Sequence, residues 1–238
     1  MIVGVGPGLG ASVVRRFAAE GLGVGLIARK ASTLADVADN LAPFGVPVTT
    51  HRADAGRPDE LERALADAVR EHGVPDVVVY NAAIVRADAP GDLSVAELTE
   101  TWSVNVSGVL VAALAMIPAM VERGHGTFLV TGGMPEPDAS HFSLSLGKAG
   151  VRALASMLAD HFGPHGVHVS TVTVAGEIVP HTAFDPDRIA DLYWRLHVQS
   201  PDLWASEQLF AGVSPHRTKS VPHADGADVG AEPRSRSR

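Results

Sequence analysis

Four side chains at helical spacing stand in the segment HFSLSLGKAG: His141, Leu144, Ser145 and Lys148. Residues three and four apart share a helix face, so the spacing predicts that an imidazole, a hydroxyl and an ammonium are presented together. An unperturbed imidazole titrates near pH 6.5, about right for His141 to pass a proton at neutrality. Upstream, the run FLVT ends in Thr131. Ligands gather beyond the carboxyl ends of strands in open parallel sheets, and a threonine hydroxyl there can donate to a developing oxyanion. Asn105, in WSVNVSG, adds a polar amide inside an otherwise uncharged run. Together these residue types suit proton traffic at an oxygen of a small-molecule substrate.

A second group suits an anion. The stretch IVGVGPGLGASVVRRFAAEG sets Gly4, Gly6, Gly8 and Gly10 between a short apolar run and an amphipathic helix that begins near Leu9. Glycines serve there because the chain turns tightly with positive φ and the backbone must approach a pyrophosphate closely. The free N–H groups of the following helix then point at that anion. The next apolar run closes with GLIARK. A site for NAD(H) usually carries an acid there for the ribose 2′-hydroxyl; Arg29, with Lys30 as a second cation, points instead to the 2′-phosphate of NADP(H). The missing acid also argues against S-adenosylmethionine.

These residues need a frame. The chain has 238 residues, 46% hydrophobic and 19% charged, which is ordinary composition for one large α/β domain. A net charge of −8 argues against nucleic-acid partners, and the absence of cysteine excludes disulfides, thiol nucleophiles and cysteine-type zinc sites. No basic-then-apolar leader opens the chain, so cytoplasm is the expected compartment. Residues 101–121 carry no charge over roughly the length of a bilayer span, but Thr101, Ser103, Asn105 and Ser107 make a core or subunit-interface helix the expectation rather than a membrane segment.

Short β-rich runs alternate with helical runs, the pattern of βαβ units in a parallel sheet covered on both faces. Strands are expected near 1–5, 23–28, 46–51, 75–80, 126–131, 167–174 and 207–211. Helices are expected near 9–21, 32–42, 58–72, 94–122, 140–162 and 186–198. This predicts a Rossmann-type doubly wound sheet of about seven strands over residues 1–211, followed by a disordered polar tail at 212–238. Only Met1, Ile2 and Val3 precede Gly4, so the first strand is expected to be clipped or the recorded start internal. His161, His165 and His168 are split by Pro164 and Gly166, no metal site is expected from them, and no G-x-S-x-G elbow is present.

The motifs in this order resemble the short-chain dehydrogenase/reductase family. Gly4, Gly8 and Gly10 match its glycine spacing; Asp54 in RADAGRPDEL sits where the family places an acid against adenine; Asn81 and Ala82 in YNAAI match its asparagine-alanine-glycine segment, with Ala83 for the glycine. Asn105 resembles the helix asparagine that anchors a relay water. Lys148 resembles the lysine that binds the nicotinamide ribose. VAGEIVPHT, with Gly176 and with Ala175 in place of proline, resembles the segment whose threonine, here Thr182, contacts the nicotinamide carboxamide. The resemblance implies an NADP(H)-dependent oxidoreductase acting on a small carbonyl or alcohol, assembled as a homodimer or homotetramer. It also implies a tyrosine where Leu144 stands. Leucine cannot protonate a carbonyl oxygen, and losing a general acid costs about 10²–10⁴ in rate. Thr131 is expected at the oxyanion, with His141 or water as the proton source. The alternative is an NADP(H)-binding sensor or regulatory subunit without turnover. Neither of the chain's tyrosines is expected to replace the missing one: Tyr80 ends a buried strand beside Asn81, and Tyr193 lies on a late helix expected to pack away from the site.

Overall fold

The computed structural model describes residues 1–212. The remaining residues, which hold nearly all of the tail expected to be disordered, lie outside the described residues. Seven strands form one sheet: β1 (Ile2–Val3), β2 (Val24–Ala28), β3 (Val48–Arg52), β4 (Val77–Tyr80), β5 (Gly126–Thr131), β6 (Val167–Val174) and β7 (Glu207–Phe210). All pairings are parallel, in the order β3-β2-β1-β4-β5-β6-β7. This is the doubly wound Rossmann-type α/β fold. The order reverses between β1 and β4, so connections leave that point in opposite directions and open a crevice beyond the strand ends.

Both faces are covered because successive strand residues point to opposite sides. Val78 and Phe128 join Leu61, Leu65, Ile117 and Met120 in one core layer, under α3 (Pro58–His72), α5 (Gly108–Arg123) and α6 (Phe142–Phe162). Val79 and Leu129 join Phe17, Val172 and Ile189 in the other, under α1 (Leu9–Ala18), α2 (Ala31–Asp39) and α7 (Pro186–His197).

The helix expected over 94–122 is two helices. After α4 (Val95–Trp102), Ser103–Ser107 widen into one π-type turn before α5 resumes. The combined span Val95–Arg123 is long and apolar enough to cross a membrane by length and composition alone. In this fold Val109, Ala112, Ala113, Met116, Ile117 and Met120 are buried in the core, which makes α5 a sheet-covering helix. β1 is short, yet it pairs with both β2 and β4, and the N–H groups of Gly4 and Val5 both donate to Ile27 O at 2.9 and 3.1 Å.

Candidate active site

The glycine turn sits at the crevice, and its glycines divide by what surrounds them. Gly4 has φ +88°, and a Cβ there would lie 2.2 Å from the Ala82 nitrogen. A Cβ on Gly10 would lie 3.0 Å from Gly4 O, so the start of α1 can press against the turn only without side chains. Around Gly6 and Gly8, by contrast, an added Cβ meets nothing within 4 Å. That open volume lies at the head of α1, which begins at Leu9 with no side-chain cap on Gly8 and no acid in its first turn. Bare N–H groups at a helix start, with no competing carboxylate, suit a phosphate.

One end of the crevice is a cleft of about 290 Å³ whose walls include Gly6, Arg29, Asp54, Asn81 and Ala82. Arg29 is exposed at the end of β2. Arg52 is its neighbour: Arg52 Nε donates to the Arg29 backbone carbonyl at 3.0 Å, while the Arg52 side chain lines the adjoining groove with Glu60 and Arg63. Sequence reasoning missed Arg52; its signal was the register that sets the last residue of β3 opposite Ala28. Lys30 instead precedes α2 and does not line this cleft. Asp54 lines it while its Oδ1 accepts from Gly56 N at 2.9 Å.

This cleft meets a larger one, about 800 Å³, at Asn81 and Ala83; the larger is walled by Gly133, His141, Leu144, Lys148 and Gly176 among others. Lys148 is buried, and its Nζ donates to the Thr131 carbonyl at 2.6 Å. Burial first, and the positive charge of Arg152 second, lower its pKa to about 8. Leu144 is buried on the same wall. Asn105 sits in the π-type turn with both ends of its amide on the Ile84 backbone, accepting from the N–H at 2.7 Å and donating to the carbonyl at 3.2 Å. Its side chain is thus spent on the loop after β4, and any water it anchors must be held by its main chain.

The start of α6 is built from a distance. His141 precedes the helix with φ −134°, outside helical space, and supplies no side-chain cap. The cap comes from Asp88 in the loop after β4: its carboxylate accepts from Ser143 N at 2.8 Å and from the Ser143 hydroxyl, and pairs with Arg86 at 3.1 Å. Burial alone would raise the Asp88 pKa, but the bonds from Ser143 and Arg86 outweigh it and hold the carboxyl below its ordinary value.

Several expected placements are corrected. The shared helix face holds for Leu144 and Lys148 but not for its two polar neighbours. Ser145 Oγ donates to Asp138 O and accepts from Asp138 N, at 3.1 and 3.0 Å, so its hydroxyl serves the loop. His141 lines the same cleft as Lys148, but from the loop, with Nδ1 3.1 Å from Asp138 Oδ2 and 3.2 Å from Ser140 Oγ. Asp138 was not foreseen; the i,i+3 spacing of acid and histidine was the signal. Thr131 offers its carbonyl to Lys148, while its hydroxyl donates to Asn81 Oδ1 at 2.8 Å and lies 2.7 Å from Tyr193 OH. The hydroxyl expected to steady an oxyanion is therefore committed elsewhere. A side chain at Gly133 would face the lysine instead: its Cβ would lie 3.9 Å from Lys148 Cε. Thr182 lies in a separate surface dent with His181, Ala183 and Asp185, its Oγ1 donating to Val179 O at 2.7 Å and accepting from Phe184 N at 3.1 Å. That local turn, not a cofactor amide, satisfies it here. Gly176 does line the large cleft, and its lack of a side chain is enforced by Phe184, whose ring would lie 2.4 Å from a Cβ. Tyr193, expected to pack away from the site, is buried directly behind it against Thr131.

Comparison with known proteins gives the same lineage from three directions. A family model described as short chain dehydrogenase matches residues 1–183. Glucose 1-dehydrogenase of Gluconobacter oxydans is 26% identical over 186 residues, covering 76% of this chain and 69% of that protein. Human dehydrogenase/reductase SDR family member 4 is 28% identical over 172 residues, 68% of this chain and 60% of its own length. Cis-1,2-dihydrobenzene-1,2-diol dehydrogenase of Pseudomonas putida is 29% identical, and this chain spans 65% of it. The chain thus spans about two thirds or less of several relatives it matches. Among solved structures, a metagenomic short-chain oxidoreductase in complex with NADP superposes with TM-score 0.79 at 25% identity, covering 88% of this chain and 96% of that one. A short-chain type dehydrogenase/reductase from Mycobacterium marinum does so with TM-score 0.79 at 28% identity, covering 87% and 91%.

Proposed function

The chain belongs to the short-chain dehydrogenase/reductase family, whose members bind NAD(P), and we propose that it is an NADP(H)-dependent oxidoreductase of a small carbonyl or alcohol that works without the tyrosine. One observation carries the reading. A buried lysine with no carboxylate partner among the described residues stands in the cleft that continues into the open glycine turn, so the crevice offers cations and bare N–H groups along the length of a dinucleotide. Arg29, with Arg52 beside it, favours the 2′-phosphate of NADP(H) over the free hydroxyl of NAD(H). When bound, the nicotinamide supplies the hydride. The residues of this chain do the rest: Lys148 holds ribose hydroxyls, Leu144 gives the substrate wall an apolar face, and the proton reaches the carbonyl oxygen from His141 or water. With Nδ1 turned to Asp138, Nε2 is the ring nitrogen of His141 left for proton transfer, and it gives a proton only from a ring that carries both.

A second reading has its own support. Leu144, Gly133 and the committed hydroxyl of Thr131 leave the wall beside Lys148 without a side-chain hydroxyl to meet an oxyanion, as suits an NADP(H) sensor or regulatory subunit without turnover. Titration with NADPH and NADH, followed by oxidation of bound NADPH across aldehydes, ketones and quinones, separates the two. Tight NADPH binding with turnover supports the enzyme, binding without turnover supports the sensor, and no binding of either nucleotide refutes both.

The proposal extends to assembly. Trp102, Leu110, Leu114, Leu146 and Met157 leave apolar surface exposed along α4, α5 and α6, and Trp102 lies against Gly150 of α6. Such a face suits a second copy in a homodimer or homotetramer. Light scattering that gives a monomer mass would remove this part.

A further inference from the structure

A chain of hydrogen bonds runs behind the large cleft from α7 to the glycine turn. Its far end is the Gly4 carbonyl, which can only accept, and it takes a proton from Asn81 Nδ2 at 2.8 Å. Asn81 Oδ1 therefore accepts, and it takes the single proton of the Thr131 hydroxyl at 2.8 Å. Thr131 Oγ1 has then only lone pairs left for Tyr193, so the tyrosine OH donates across their 2.7 Å contact. The sense of every bond follows from the carbonyl at the end. Tyr193 is fully buried, and burial holds its phenol well above its ordinary pKa, so the donor keeps its proton.

The chain ends on the residue that fixes the turn. Gly4 N donates to Ile27 O at 2.9 Å, its carbonyl is taken by Asn81, and Ala82 fills the place of its Cβ. Removing the Asn81 bond would free one of those three restraints. At the other end, Tyr193 is held by the packing of α7 on α1, through Arg15–Asp187 at 2.7 Å, Arg16–Asp191 at 2.8 Å and Phe17 edge-on to Trp194 at 5.6 Å. The family match stops at residue 183, short of this tyrosine.

We propose that Tyr193 is a positioning residue for the glycine turn, acting through Thr131 and Asn81 on the Gly4 carbonyl. Only the statement that the turn receives a dinucleotide rests on the function proposed above. Buried polar chains of this kind are coupled: Tyr193 reaches the turn only through the Thr131 hydroxyl, so once that hydroxyl is gone the loss of the tyrosine hydroxyl adds nothing at the turn, and the effects of the two breaks do not multiply.

The test uses the full chain and two readouts, amide hydrogen exchange across residues 4–10 without nucleotide and the NADPH dissociation constant. Tyr193→Phe and Thr131→Val should each speed exchange in the turn and weaken NADPH roughly three- to tenfold, the size of one buried hydrogen bond. The double variant should be no weaker than Thr131→Val alone, and Thr131→Ser, which keeps the hydroxyl, should match the parent. Leu192→Ala, a buried α7 change without a polar link, should lower the melting temperature while leaving the turn as it was. Multiplicative effects in the double variant, or a turn equally loosened by Leu192→Ala, overturn the proposal. If the parent binds NADPH but Tyr193→Phe leaves turn exchange unchanged, the proposal also falls. If the parent binds neither nucleotide while Tyr193→Phe still speeds turn exchange, the positioning role stands and the dinucleotide reading falls.

Discussion

Lys148→Met should make the protein more stable at neutral pH while weakening its hold on nucleotide. Burial lowers the lysine pKa to about 8, against about 10.5 for an exposed lysine. Below pH 8 the ammonium is charged in both folded and unfolded chains, so the full cost of burying it is present. Between about pH 8 and 10.5 the folded state sheds the proton while the unfolded state keeps it; the unfolded state then holds more protons, and parent stability rises with pH by about 1.4 kcal/mol per pH unit. Over the whole window this amounts to about 3 kcal/mol. Methionine avoids that cost but leaves the Thr131 carbonyl without the donor it has at 2.6 Å, a loss of about 1–3 kcal/mol. The variant should therefore equal or exceed the parent at pH 7 and fall below it near pH 10. Urea unfolding of both proteins at pH 7, 8, 9 and 10 reads the difference directly, with other titrating groups cancelling between them. A difference that stays flat with pH would refute the reasoning, because it would mean that the folded chain keeps Lys148 solvated.

Gly4→Ala and Gly6→Ala should part company in thermal melts and nucleotide titrations. The first forces φ +88° on an alanine and drives its Cβ to 2.2 Å from backbone, costing roughly 2–5 kcal/mol, whereas the second enters open space and should leave the melting temperature within a degree or two while blocking the anion. Leu144→Tyr should raise carbonyl reduction by about 10²–10⁴ over the parent if a missing general acid is the only deficit; a folded, NADPH-binding variant with unchanged rate would show that the site lacks more than a proton donor. On the acid side, burial lowers the pKa of both His168 and His197. The unfolded chain then takes up protons first, so stability should hold above the ordinary histidine pKa of about 6.5 and decline as pH falls below it. Replacing both with glutamine should flatten that decline in unfolding titrations, and an unchanged slope would assign it to other groups.

What the sequence made legible follows from which forces are local. Strands β5 and β6 are rich in Val, Phe, Leu and Thr and almost wholly buried, and their ends match the expectation residue for residue. The glycine turn was legible because steric demand at Gly4 is a property of backbone that no other residue meets. The π-type turn was not, because Asn105 leaves regular helix for two bonds to Ile84, a partner distant in sequence. Thr131 does line the large cleft, but the partners of its hydroxyl were hidden for a similar reason. Spacing along the chain led to its hydroxyl, but the path of the loop from Gly132 to His141 decides which residue faces Lys148, and that is Gly133.

The two halves of the crevice differ in how costly their features are to keep. On the nucleotide side the chain retains a buried ammonium that opposes folding at neutral pH, glycines at Gly6 and Gly8 where nothing in the fold crowds a side chain, and a helix start without a cap. Each costs stability that the fold returns only in part, as in the one bond from Lys148 to the Thr131 carbonyl, and each suits an anionic, hydroxyl-bearing ligand. On the proton side the features are at rest: Leu144 is buried, the Thr131 hydroxyl has both its partners, and His141 leans on Asp138 at the cleft edge. None of these is strained or unsatisfied in a way that a carbonyl substrate would relieve. The proposed dinucleotide thus accounts for the costly half of the crevice, whereas the proposed chemistry asks for a proton from His141 or water on the open side of the cleft.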